Sequence, residues 1–300
     1  MNREGLDAFV REAGALGVLN VVALRGGEAV FERHFQKQIR YNNYSIAKSF
    51  TALAVGLAEA EGLLSLDERL LDCFPEEAPP NPGANLMAVT VRDLLTMCLG
   101  QDEWRLSGAE RLALGAGTNW AEYALGKPFP HPPGEVFLYN NVGPFLAALI
   151  VQRRVGQTLV DYLLPRLFEP LGIWRPTWEV DPNGLNFGAG GLFLAASELA
   201  KVGQLLLQGG EWEGRQLIPR AYVREATRKQ VDNPGEKPDY NLGYGYLFWR
   251  GRLNSFRAEG KNGQFILVFP DEGMVVAVQS FSNKEREILR CVYERLMPEL

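Results

Sequence analysis

Residues 42–50 read NNYSIAKSF and place Ser45 three positions ahead of Lys48, where an apolar run, FTALAVGLAEAEGLL, begins. Residues three apart share a face of a helix, so the lysine amine can reach the serine hydroxyl. A serine with an amine beside it is a nucleophile with a proton acceptor. A helix start adds free backbone N–H groups and the positive end of the dipole, both of which favour developing negative charge. No other serine in the chain precedes a lysine by three. The same two residues also fit a plain role, with Ser45 as an N-cap and Lys48 on the surface. On these residues alone both readings stay open.

Other chemistries have less support. The chain has two histidines, His34 in a strand-like run and His131 in the proline-rich stretch PFPHPPG, and each reads as structural or solvated. No G-x-S-x-G elbow is present for a Ser-His-Asp triad. No H-E-x-x-H and no paired Cys/His spacing suggests a zinc site, so no metal is expected. There is no P-loop, and the glycines of GAGTNW and GAGGLF do not complete G-x-G-x-x-G, so no nucleotide or other cofactor is expected. Two further stretches could contribute to a site. In PPGEVFLYNNVGPFLAALI, Tyr139 and Asn141 flank one residue at a turn into a helix; the plain reading is a buried aromatic and a turn asparagine. In FRAEGKNGQFILVFP, Lys261-Asn262-Gly263 opens an apolar strand ahead of Gln264. Its plain reading is a solvated hairpin entrance, although Gly263 permits close approach by a ligand.

The elements that must hold these residues fall into a pattern. GLDAFVREAGAL has helical spacing at Leu6, Phe9, Val10 and Ala13, and two β-rich runs then flank Arg25-Gly26-Gly27 as a hairpin. Near the C-terminus YGYLFW, FILVFP and MVVAVQSF read as strands, with a turn at residues 271–273 and a last helix in NKEREILRCVYERL. The middle is helical: VTVRDLLTMCLG with Thr90 as N-cap and Gly100 as stop, then VGPFLAALIVQRRVG, TLVDYLLPRLFEPLGI and SELAKVGQLLLQGG. The economical solution is an α/β (α+β) fold, with one antiparallel sheet built from both termini, helices flanking it and a mostly helical insertion. The expected division is 1–60 with 190–300 as the sheet lobe and 61–189 as the helical lobe, with the site in the cleft between them.

A chain of 300 residues, 46% of them hydrophobic, supports one large domain or two lobes on a shared core. Its net charge of -5 and pI near 5.3 argue against nucleic-acid partners. Cys73, Cys98 and Cys291 are odd in number and far apart, which reads as reduced thiols. The opening MNREGLDAFVREAG lacks the apolar stretch of a signal peptide, and no run is long enough to span a membrane. A cytoplasmic location, away from membranes, is expected.

The order Ser45-x-x-Lys48, Tyr139-x-Asn141, Lys261-x-Gly263 resembles the penicillin-binding-fold serine hydrolases, closest to the class C β-lactamase, D-alanyl-D-alanine carboxypeptidase and esterase type. TVRDLLTMCLGQ, PPGEVFLYNNVG, RLFEPLGI, AGGLFLAASELAKVGQLLLQGGEWEGRQLIP and KNGQFILVFPDEGMVVAV are similar to stretches of that family in the same order. The resemblance implies a β-lactamase/transpeptidase-like fold without metal or cofactor, acting on a small ester, amide or β-lactam. It implies Ser45 as acylated nucleophile and Lys48 and Tyr139 as proton relay, with Tyr139 the general base. Asn141 would orient Lys48 or the substrate, Lys261 would hold the far side of the cleft, and the backbone N–H groups of Ser45 and Gln264 would form the oxyanion hole. A tyrosine base at neutral pH needs its pKa lowered by about 3 units, or about 4 kcal/mol; one charge at about 4 Å supplies about that much at an effective dielectric of about 20. Lys48 and Lys261 flanking Tyr139 would provide it. Asn262 stands where a threonine helps bind the β-lactam carboxylate, which favours an esterase or small-amide hydrolase over a β-lactamase. The rival is a sensor or binding module that is acylated without turnover. Trp104, Trp120, Tyr244 and Trp249 are candidates to line the cleft or to sit in the core.

Overall fold

The computed structural model describes residues 3–235 and 237–300. A helix, α1 (Arg3–Ala15), leads into the hairpin β1 (Val18–Arg25) and β2 (Glu28–His34). Gly26 and Gly27 both take positive φ, as the tight turn between right-twisted strands requires. The chain then forms the short strand β3 (Tyr41–Asn42) and α2 (Ile46–Ala60). A run of mostly short helices follows: α3 (Leu70–Cys73), α4 (Ala84–Ala88), α5 (Val91–Leu95), α6 (Gly108–Leu114), α7 (Trp120–Leu125), α8 (Val142–Val155) and α9 (Leu159–Leu163). The strands β4 (Thr177–Trp178) and β5 (Leu192–Leu194) pair with β3 in a small sheet. After α10 (Ala196–Leu207), the small hairpin β6 (Glu211–Trp212) and β7 (Arg215–Gln216), and α11 (Arg220–Thr227), the chain returns to the main sheet. It does so as β8 (Trp249–Arg250), β9 (Phe256–Gly260), β10 (Gln264–Phe269) and β11 (Met274–Ser280), and ends in α12 (Glu285–Cys291) and a wide helical turn at 292–296.

The main sheet runs in the order β2-β1-β11-β10-β9-β8, every neighbour antiparallel. Both termini therefore build it, as expected. Its central strands β1, β10 and β11 are mostly apolar and buried because both faces are covered, with polar residues such as Asn20, Gln264 and Gln279 toward one end. Val276 and Val278 pack under α1 and the C-terminal helix with Phe9 and Leu289, whereas Val275 and Ala277 face the larger core that includes α10 and α2. Three expectations need correction. YGYLFW is not a strand over its length: only Trp249 belongs to one, because Leu247 turns to positive φ and its amide bonds Leu95 across the fold. The helix after Thr90 keeps its capping box with Asp93 but ends at Leu95, well short of Gly100, as Met97 takes positive φ. Lys261-Asn262-Gly263 does not open a strand but forms the turn between β9 and β10, with Asn262 and Gly263 both at positive φ. Among the described residues no helix is long and apolar enough to cross a membrane.

Candidate active site

Ser45 sits at the N-terminus of α2, held there by the two asparagines before it. Asn42 accepts the Tyr44 amide at 2.8 Å, closing a tight local turn. Asn43 is wholly buried; it donates to the carbonyls of Tyr41 and Leu194 and accepts from Gln279 of β11. Tyr44 is thereby held at φ 47°, a conformation uncommon for an aromatic residue. Strand β9 approaches this turn so closely that a Cβ on Gly260 would lie 2.2 Å from the Asn43 carbonyl oxygen.

Ser45 occupies the N-cap position, yet its side chain caps nothing. Its Oγ instead lies 2.9 Å from Lys48 Nζ, one turn along. Lys48 is 1% exposed and contacts two further acceptors, Asn141 Oδ1 and the Ala189 carbonyl, each at 2.7 Å. The Ala189 carbonyl is delivered by the glycine-rich run 188–191. Gly188 has φ 70°, and a Cβ there would meet Ala148 at 2.3 Å. Burial pushes the Lys48 amine well below the usual lysine range, and the nearby Arg111 charge adds to it. A neutral amine has two N–H bonds and one lone pair. With Asn141 and Ala189 taking the hydrogens, the lone pair faces the Ser45 hydroxyl.

Tyr139 packs over the amine, its ring centre 5.1 Å from Nζ, and stacks on Trp249 at 5.2 Å. Asn140, fully buried, accepts the Gly143 amide and so starts α8 just beyond Tyr139 and Asn141. Asn141 Nδ2 donates to the Leu106 carbonyl, which orients its oxygen toward Lys48. The expected lowering of the Tyr139 phenol does not occur. Burial raises it, interaction with the Ser45 hydroxyl only partly opposes this, and Glu259 raises it further. The acidic side chain of Glu259, not a second lysine, is the charge that β9 brings to bear on this phenol.

Ser45, Tyr139, Asn141 and Lys261 line one cleft of about 1000 Å³, with Lys48 directly beneath Ser45. Asn262, Gly263 and Gln264 are not part of its wall. Asn262 donates to the Tyr44 hydroxyl at 3.2 Å, and Gly263 turns against Ile288 and Ser280. Gln264 is fully buried, pairs with Gly260 in the ladder and donates from its side chain to the Ser280 carbonyl. The turn at 261–263 carries these residues past the cleft, so β9, not β10, forms its edge. Of the four aromatics, Trp104 and Trp249 line the cleft, whereas Trp120 and Tyr244 are buried in the core.

The family model described as Beta-lactamase matches residues 6–290. The chain belongs to the Beta-lactamase family. Esterase EstB of Burkholderia gladioli is 27% identical over 190 residues, covering 56% of this chain and 48% of the esterase. The chain thus spans about half the length of that relative. The 6-aminohexanoate-dimer hydrolase of Paenarthrobacter ureafaciens is 24% identical over 80% of this chain and 67% of its own. Among solved structures, the octameric penicillin-binding protein homologue from Pyrococcus abyssi superposes with a TM-score of 0.78 at 23% identity, covering 100% of this chain and 78% of that one. Within this Beta-lactamase-family frame, three charged cleft residues that bear on Tyr139 or Lys48 lay outside the sequence reading: Glu259, Arg111 and Glu179. Glu259 could have been found: it lies two positions before Lys261, and strand alternation puts positions two apart on one face. Its carboxylate accepts from Tyr240 at 2.6 Å and from the buried Arg257 at 2.7 Å. Arg111 and Glu179 are paired at 2.9 Å but stand 68 positions apart, and no local pattern marks them.

Proposed function

We propose that this chain is a serine hydrolase that cleaves a small ester or amide through an acyl-enzyme on Ser45. The observation that carries this reading is the buried Lys48 amine, held by two acceptors with its third contact on the Ser45 hydroxyl. Family membership supports hydrolysis as the reaction class, and the matched esterase and 6-aminohexanoate-dimer hydrolase support esters and amides as substrates. The cleft volume suits a small molecule.

In this reading Lys48, not Tyr139, is the acylation base. The neutral amine takes the Ser45 proton as Oγ bonds the substrate carbonyl carbon, and the carbonyl π pair moves onto oxygen. Asn141 and the Ala189 carbonyl then hold the ammonium that forms. The backbone N–H groups of Ser45 and Lys261 receive the oxyanion. Lys261 follows β9 on the cleft wall, a position that Gln264 does not occupy. As the oxyanion collapses, the Tyr139 phenol donates its proton to the departing oxygen or nitrogen and is reprotonated by Lys48. Water then reverses these transfers: its proton passes to the Tyr139–Lys48 pair, its oxygen bonds the acyl carbon, and Ser45 leaves with a proton from Lys48.

The test is steady-state turnover of p-nitrophenyl esters, D-amino-acid amides and a chromogenic cephalosporin by the parent and by Ser45→Ala. Sustained ester or amide turnover, abolished in Ser45→Ala, is expected. One equivalent of product followed by none identifies a sensor acylated without turnover and contradicts the proposal, as does turnover that survives in Ser45→Ala.

A further inference from the structure

We infer that Arg111, anchored by Glu179, is a positioning residue that fixes the orientation of Asn141 and keeps Lys48 competent as the base. The inference rests on the proposed role of Lys48. Its geometry runs through one carbonyl. Leu106 is fully buried with φ 56°, a left-handed conformation that a leucine adopts only when its surroundings enforce it. That conformation turns the Leu106 carbonyl to a point where two side chains meet: Asn141 Nδ2 donates to it at 2.9 Å and Arg111 Nη1 at 2.8 Å. With its amide nitrogen occupied there, Asn141 presents only its oxygen to Lys48.

Arg111 is itself locked. Its Nη2 donates to Glu179 Oε1 at 2.9 Å, and its guanidinium lies 4.0 Å over the Phe187 ring, just before the run that supplies the Ala189 carbonyl. It is therefore tied to two of the three groups that surround Lys48 Nζ.

Arg111 also acts through its charge. Among the described residues, the titratable or charged groups nearest Lys48 come from four directions, with Lys261 beyond β9 on the same cleft wall. From α6 comes Arg111, with Glu179 behind it. From the turn before α8 comes Tyr139, with Glu259 of β9 beyond it. Arg257 of β9 turns away onto Glu259 and the Asp239 carbonyl. The loop at 188–191 brings no titratable side chain. Arg111 disfavours a second positive charge at Lys48, and its ion pair sets the opposite charge of Glu179 beside it, from which we expect partial compensation of that field. Removing the arginine and removing its counter-ion must therefore shift Lys48 in opposite directions.

The experiment measures kcat/KM against pH for a p-nitrophenyl ester with the parent, Arg111→Met, Arg111→Lys and Glu179→Gln, with Ser45→Ala as control. Methionine keeps the packing on Phe187, and lysine restores the charge. The ascending limb should move up by about one pH unit in Arg111→Met, the order of effect of one like charge in a buried site. It should return toward the parent in Arg111→Lys and move down in Glu179→Gln. A limb that stays put in both charge variants, with Ser45→Ala still inactive, overturns the inference and leaves the serine-hydrolase reading standing. Activity that survives in Ser45→Ala overturns that reading instead. Should Arg111→Met fail to fold, Glu179→Gln decides alone: a downward shift supports the inference, and an unmoved or raised limb overturns it.

Discussion

At the residue scale, the proposed mechanism depends on which of two neighbours, Lys48 or Tyr139, carries the proton first. Burial lowers the Lys48 amine and raises the Tyr139 phenol, which supports the proposed roles of lysine as acceptor and tyrosine as donor. The consequence is selective. Tyr139→Phe should cost amides and alkyl esters about 10²–10⁴-fold in kcat/KM, which reports only the steps up to leaving-group release, because their leaving groups need a proton. A p-nitrophenyl ester, whose leaving group departs as an anion, should lose less than about tenfold. Equal losses on both substrates would make tyrosine the base. Lys48 also leaves a mark on stability. Its folded pKa lies below its unfolded one, so between the two values the unfolded chain binds more protons and stability rises with pH. The melting temperature of the parent, relative to Lys48→Met, should therefore climb as pH rises toward the ordinary lysine range at about 10; a constant gap contradicts the depressed lysine. The Ser45–Lys48 pair was legible because a helix turn is local, and its spacing alone made contact possible. Tyr139 and Asn141 were legible as a turn into a helix, but their roles came only from the ordered resemblance. The Arg111–Glu179 pair was not legible, since only the fold brings α6 beside the strand β4 region.

At the scale of elements, the site exists because a turn and a strand touch. Asn43 ties the start of α2 to β5 and β11, Asn42 closes the turn through the Tyr44 amide, and Gly260 lets β9 lie against the same turn. Gly260→Ala places a methyl 2.2 Å from the Asn43 carbonyl oxygen and must push the strand away. The expected cost is about 1–3 kcal/mol in a urea titration, the usual range for overpacking, with at least tenfold slower labelling by a fluorophosphonate probe. Unchanged stability and labelling would show that the close approach has no role. Hairpins and long helices were readable here because glycine turns and apolar periods are local signals: the Gly26-Gly27 turn and the β10–β11 turn both occur where expected. The turn at 261–263 was not, because an Asn-Gly pair can open a strand or close one, and only the pairing of Gln264 with Gly260 decides. That single ambiguity separates Gln264 of β10, the oxyanion donor expected from the sequence, from Lys261 of the turn, the donor proposed here.

At the scale of the molecule, the chain closes its sheet by pairing its two ends. β1 lies along β11 from Val18 opposite Ser280 to Arg25 opposite Met274. Deleting residues 1–34 would leave the fully buried strand β11 as a bare apolar edge, so that fragment should aggregate instead of folding, as size-exclusion chromatography would show. A soluble, probe-reactive fragment would mean that the candidate cleft does not depend on this pairing. The cleft gathers residues from α2, from the turn before α8, from the loop at 188–191 and from β9, so its chemistry reports on the whole assembly. The most direct test of that chemistry is to stop the reaction with a p-nitrophenyl ester in acid and map the acylated peptide by mass spectrometry. The account predicts one acyl group per chain on Ser45, and none in Lys48→Met over the same interval. An acyl group on any other residue, or continuous product release with no acyl group on Ser45 at any time, would contradict it.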